Sequence, residues 1–187
     1  MAWVIDRIRD LLFGFLNTLG LLNKEATIII IGLDNAGKST LLHRMSKGAF
    51  GTFAPTEKPA NDEFNVGGVT FKAWDLGGHE AVRQIWDDFL PSCDGVLFLI
   101  DAADTDRLAE AEEEISALVL DNALWDVPIA VLYNKEDLPF AMATPELEVA
   151  LKWPELVQRE GPIAGFRCSV LNGTGYTEAI QWIARFC

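Results

Sequence analysis

The run Thr-Ile-Ile-Ile-Ile at positions 27–31, followed at once by Gly32-Leu33-Asp34-Asn35-Ala36-Gly37-Lys38-Ser39, constrains this chain more than any other stretch. A continuous apolar run of this kind reads as a strand covered on both faces. A Gly-x4-Gly-Lys-Ser loop after such a strand and before a helix, predicted here over Lys38–Lys47, is the P-loop arrangement. Its backbone N–H groups and the helix dipole surround a phosphate chain. Lys38 is expected to reach the β and γ phosphates, and the Ser39 hydroxyl to ligate Mg²⁺.

Strand and helix patterns then alternate to the end of the chain. Residues 62–66 and 69–75 flank Gly67-Gly68, a hairpin turn. GVLFLID and PIAVLYN are continuous apolar strands, AGFRCSV is a last strand, and helical periodicity covers Arg107–Asn122 and Tyr176–Phe186. The expectation is an α/β sheet of six strands with helices on both faces and ligands at the C-terminal ends of the strands. One edge strand, from the hairpin, is antiparallel and the rest are parallel.

A formal net charge of −13 over 187 residues argues against nucleic acid as a partner, since phosphate binding needs basic surface. It also works against adsorption to anionic lipid by charge alone. Cys93, Cys168 and Cys187 are widely spaced and odd in number, with neither a disulfide framework nor a zinc spacing, which reads as a reducing compartment.

Residues 1–24 form a separate unit from the nucleotide domain expected over 25–187. Ile5, Ile8, Leu12, Phe15, Leu16 and Leu19 recur at helical spacing, opposite Asp6, Arg9, Asp10 and Asn17, with Phe13 breaking the polar face. The apolar run Leu11–Leu22 is shorter than the roughly 20 residues that span a bilayer. No small-x-small cleavage pattern follows it. The expectation is an amphipathic helix that lies in a membrane interface; packing on the domain core is the alternative. Ala2 excludes N-myristoylation, and Cys187 is not placed for prenylation.

Three further stretches carry chemistry. Asn134-Lys135-Glu136-Asp137 ends the strand PIAVLYN. A carboxylate there, Asp137, can accept from both N1–H and the exocyclic amine of guanine, a donor pair adenine lacks. Cys168-Ser169-Val170 ends the next strand and could add a backbone contact to the guanine oxygen through Ser169 or Val170. Asp75-Leu76-Gly77-Gly78 ends the hairpin's second strand, where Asp75 can hold Mg²⁺ through water and Gly78 can bring its N–H to a γ-phosphate because it lacks a Cβ. Thr56, in a loop upstream, could complete the metal shell only when that phosphate is present. Two loops sensing one phosphate make a switch. Asp34, Asn35, Ala36, Gly37 and Thr40 complete the predicted nucleotide contacts, Asp34 also being a candidate for the metal shell. His79, directly after Gly78, is the candidate catalytic residue. It would orient the attacking water, accepting from it through one ring nitrogen while the other is held by a neighbour.

Taken together, GLDNAGKST, PTEKP, WDLGGHE and NKED resemble the Arf/Sar small GTPases over nearly the whole chain. His79 in place of glutamine, the apolar Trp3-Val4-Ile5, CSV and YTEAIQWIARF are similar to the Sar branch. The resemblance implies hydrolysis of GTP to GDP with Mg²⁺, and initiation of the COPII coat on the cytosolic face of the endoplasmic reticulum, cycling with cytosol and extending to the Golgi. It implies a membrane-bound exchange factor and COPII inner-coat subunits, one supplying an arginine finger. It also implies a hairpin, about 62–75, that slides in register when GTP binds and frees the N-terminal helix. An Arf-like route other than COPII, or a slowly hydrolysing scaffold, are the alternatives. Three positions depart from the pattern: Pro59-Ala60 where a second Pro-Thr is usual, Glu136 for an apolar residue, and Ser39 for threonine.

Overall fold

The computed structural model describes residues 24–51 and 53–187; the predicted helix within 1–24 lies outside them. In chain order the elements are β1 (Lys24–Gly32), α1 (Lys38–Lys47), β2 (Ala60–Val66), β3 (Val69–Asp75), α2 (Trp86–Phe89), β4 (Gly95–Asp101), α3 (Leu108–Leu120), β5 (Ile129–Asn134), α4 (Thr144–Ala150), α5 (Trp153–Leu156), β6 (Ile163–Arg167) and α6 (Tyr176–Ile183). The strands form one sheet in the order β2-β3-β1-β4-β5-β6. Only the β2–β3 pair is antiparallel, as the sequence predicts.

The isoleucines of β1 divide the core. A strand points alternate side chains to opposite faces. Ile29 and Ile31 therefore pack with Phe98, Val131 and the buried stripe Leu108, Ala111, Ile115 and Leu118 of α3. Ile28 and Ile30 pack with Leu97, Leu132, Leu41 of α1 and Ile180 and Ile183 of α6. All four isoleucines are fully buried. Truncating one to alanine would cost about 2–5 kcal/mol, because close-packed neighbours on both sides cannot collapse into the gap.

The parallel register carries Gly32, Asp75, Asp101 and Asn134 to the same edge of the sheet, so the loops that follow them share one rim. The hairpin closes at Gly67 and Gly68, both at positive φ, the pair a tight two-residue turn requires. β2 begins at Ala60, two residues earlier than the predicted 62, because its pairing with β3 runs to Ala60–Asp75. The predicted helix 107–122 is a 3₁₀ turn, Thr105–Arg107, leading into α3. β6 stops at Arg167, and α6 at Ile183 rather than Phe186. Two short helices, α4 and α5, were not anticipated; each carries proline in its first turn, Pro145 and Pro154, where the missing N–H is not needed.

Candidate functional site

The P-loop wraps a left-handed turn. Gly37 has φ 100°, and a Cβ there would lie 2.5 Å from the Asn134 amide nitrogen, so only glycine lets the loop sit on the base motif. Lys38 is buried and folds back across the loop, its Nζ donating to Gly32 O at 3.0 Å and Leu33 O at 2.8 Å. Burial pushes its pKa down to about 8, against the attraction of Asp75 and Asp34. A phosphate chain would restore the charge that burial disfavours.

The structure brings Ser39, Thr56 and Asp75 together. The Ser39 hydroxyl donates to Asp75 Oδ2 at 2.6 Å, Thr56 Oγ1 donates to the same oxygen at 3.1 Å, and the two hydroxyls lie 2.8 Å apart. Asp75 Oδ1 is buried with no hydrogen-bond partner. Burial raises the Asp75 pKa, opposed by Ser39, Lys38 and Thr56. Hard oxygen donors with one spare carboxylate oxygen suit Mg²⁺, which keeps several waters and phosphate oxygens in its shell. Asp34 stands apart from this group. Its carboxylate accepts from Arg107 Nη2 at 2.8 Å, and that bond is the main cause of its lowered pKa. The structure thus pairs the Asp34 carboxylate, a candidate for the metal shell, with the Arg107 guanidinium.

The loop after β3 lies against the P-loop. A Cβ on Gly78 would meet Gly32 O at 2.3 Å, Lys38 Nζ at 2.4 Å and Asp34 N at 2.5 Å. Trp86, buried on α2, donates from Nε1 to Gly77 O at 2.9 Å. In a trans peptide the N–H points opposite to the C=O. Fixing the Gly77 carbonyl on Trp86 therefore fixes the direction of the Gly78 N–H. His79 is exposed and lines the same cleft as Lys38, Ser39 and Thr56. Its Nδ1 accepts from the Ala81 N–H at 3.4 Å, capping the 3₁₀ turn Glu80–Ile85. With Nδ1 as the acceptor, a neutral ring carries its proton on Nε2. The free nitrogen is thus a donor in this arrangement, and accepting a proton from water requires the ring to leave Ala81.

The base motif forms a second wall. Asn134 is buried; its Nδ2 donates to Ala36 O at 2.8 Å and its Oδ1 accepts from Val170 N–H at 3.0 Å. It stitches the P-loop to the loop after β6. Lys135, at φ 66°, pairs with Asp101 at 2.6 Å. Asp137 Oδ1 accepts from Ser169 Oγ at 2.5 Å. Asn35, Gly37, Thr40, Asn134, Lys135, Asp137 and Val170 line one hollow together with Phe50, Leu138 and Leu171. Glu136 turns outward to Arg167 at 3.0 Å and to Thr174 at 3.3 Å, so this departure leaves the hollow untouched. Sequence reasoning missed Phe50, Trp86, Asp101 and the two arginines Arg83 and Arg107. Tryptophan seven residues beyond His79 is a local cue for Trp86, whereas the long-range partners of the arginines, Glu110 and Glu114 for Arg83 and Asp34 for Arg107, lie 27 to 73 residues away and leave no local cue.

The ADP-ribosylation factor family model matches residues 12–187. A protein of Giardia intestinalis named small COPII coat GTPase SAR1 is 38% identical over 180 residues, covering 91% of this chain and 94% of that protein. ADP-ribosylation factor-like protein 3 of Chlamydomonas reinhardtii is 34% identical over 161 residues, covering 86% and 90%. Among solved structures, the Arl6 BBS3 small GTPase of Trypanosoma brucei with bound GppNp superposes with a TM-score of 0.78 at 27% identity, covering 87% of this chain and 96% of that one.

Proposed function

The chain belongs to the ADP-ribosylation factor family of small GTPases, which hydrolyse GTP, and on that premise we propose that it is the switch that starts COPII coat assembly on the endoplasmic reticulum. The observation that carries the switch reading is the convergence of two loops on one phosphate position. Thr56 joins Ser39 and Asp75, and Gly78 abuts Lys38.

The residues divide the work. Asp137, positioned by Ser169, reads the guanine, and Asn134 keeps the base loop and the P-loop at a fixed spacing. Lys38 and the loop amides hold the phosphates. Ser39, Thr56 and Asp75 would hold Mg²⁺, which would offset phosphate charge. The Gly78 N–H, aimed by Trp86, meets the γ-phosphate. His79 orients the attacking water once its ring swings off Ala81, at a cost of about one weak hydrogen bond, roughly 1 kcal/mol. Arg83 and Arg107, close to both loops, are already committed to carboxylates. Slow intrinsic turnover follows, and an arginine supplied by an activating coat subunit would raise it about 10³–10⁵-fold.

Recruitment is assigned to the amphipathic segment within residues 1–24. Flotation of the full chain with liposomes, comparing GDP with a non-hydrolysable GTP analogue, tests it. GTP-dependent flotation lost on removing residues 1–19 is the expected result, and equal flotation in both states would sink it. The 34% identity to an ADP-ribosylation factor-like protein favours a second reading, a switch on another trafficking route. Purified COPII inner-coat subunits separate the two: they accelerate hydrolysis only under the first.

A further inference from the structure

Arg83 and Arg107 reach the two walls of the γ-phosphate position from outside it. Arg83 Nε donates to Gly78 O at 2.8 Å. Its other nitrogens go to Glu114 at 2.6 Å and to Glu110. Arg107 donates to Asp34 in the P-loop at 2.8 Å and, through Nε, to Glu110 Oε2 at 2.8 Å. Glu110 is thus the one carboxylate that both guanidiniums share. Arg107 and then Arg83 hold its pKa down to about 2, so it stays charged at any ordinary pH.

We propose that Glu110 is a positioning residue for hydrolysis, holding the Gly78 loop and the P-loop at one spacing through Arg83 and Arg107; this deepens the GTPase reading and rests on it. Glu110 sits on α3, whose buried stripe is locked to the sheet, so its carboxylate is a fixed reference point. Arg83 grips the Gly78 carbonyl. In a trans peptide that carbonyl sets the orientation of the unit from which His79 hangs. The Arg83 side chain is only 9% exposed, and a guanidinium so enclosed keeps its place only while its carboxylates remain charged. GDP lacks the phosphate that Gly78 would touch. The clamp should therefore act on the triphosphate and on hydrolysis, leaving GDP almost unaffected. Ordinary support of the fold would weaken both nucleotides alike.

The test uses the full chain as wild type, Glu110→Gln and Arg83→Lys. Glutamine keeps the shape and loses the charge; lysine keeps a charge but cannot reach three acceptors. Single-turnover GTP hydrolysis is measured beside the dissociation rates of GDP and of a non-hydrolysable GTP analogue. Hydrolysis in each variant should fall about tenfold, with analogue release faster by a similar factor, the loss of one charge-assisted hydrogen bond. GDP release should stay within about twofold, and the double variant should be little worse than either single one, since both break the same clamp. Equal acceleration of GDP and analogue release, or unchanged hydrolysis beside an active wild type, overturns this inference alone. A wild type that hydrolyses no GTP overturns the GTPase reading, and this inference with it.

Discussion

Asn134→Ala tests whether the nucleotide site is held as one piece. The side chain bridges Ala36 O and Val170 N–H, and all three residues are at least 98% buried, with relative exposures of 1%, 2% and 2% for Ala36, Val170 and Asn134. Alanine leaves a carbonyl and an N–H without partners and out of reach of water. Each such group costs about 1–3 kcal/mol, so the loss should be about 2–6 kcal/mol, before any small term for the cavity. Urea unfolding of the GDP-loaded protein at fixed excess GDP gives the stability change. A slope of about 2–3 kcal/mol per molar urea converts 3 kcal/mol into a midpoint shift of about 1–1.5 M. Release of a fluorescent GDP should quicken as well, because the P-loop and the base loop lose their common anchor. Asn134→Asp is the control for shape. Its second oxygen would face the Ala36 carbonyl, acceptor against acceptor, and it should be no better than alanine. A loss below about 0.5 kcal/mol for alanine, smaller than one unmade buried hydrogen bond, or an aspartate variant as stable as wild type, refutes the stitch.

Gly78→Ala should keep GDP binding while abolishing the GTP-bound arrangement, because its Cβ would overlap Gly32 O and the Asp34 nitrogen; equilibrium binding of both nucleotides checks this, and normal GTP affinity would refute it. The nucleotide-free protein should show a pH optimum near 9. Lys38 titrates at about 8 when folded against an ordinary 10.5, so the unfolded chain binds more protons above pH 8 and stability rises by up to about 1.4 kcal/mol per pH unit. Cys93 and Cys168, pushed up by burial to about 11 and about 12 from an ordinary 9.0, reverse the slope above pH 9, since the unfolded thiols then lose protons first. Lys38→Met should remove the rise and keep the fall in urea titrations across this range; a rise that survives the substitution means another group causes it.

Much of the fold was legible because strands and loops announce themselves locally. Four isoleucines read as a doubly covered strand, Gly67-Gly68 as a turn, and Gly-x4-Gly-Lys-Ser as a phosphate loop. Element ends were less legible. β2 reaches Ala60 only because Asp75 stands opposite it, and pairing partners are not a local property. Pro145 and Pro154 stand in the first turns of α4 and α5, helices too short to show a periodicity.

For the site, the sequence determined which residue types stand in the loops at the strand ends: the carboxylates Asp75 and Asp137, the hydroxyls Ser39 and Thr56, and glycines for close approach. Which partner each side chain takes was decided only in three dimensions. Asp34 could bind a metal or a guanidinium with equal local plausibility, and Arg107, 73 residues away, takes it. Asn134 could face the nucleotide or the protein, and the folded protein gives it Ala36 and Val170. His79 could offer water either ring nitrogen, and capping by Nδ1 leaves Nε2 free. The His79 cap is local, two residues along the chain, but the physical reason is common to Asp34 and Asn134. Hydrogen bonds and ion pairs act over about 3 Å, so their choice depends on which loops the sheet brings within that distance, and no spacing along the chain encodes it.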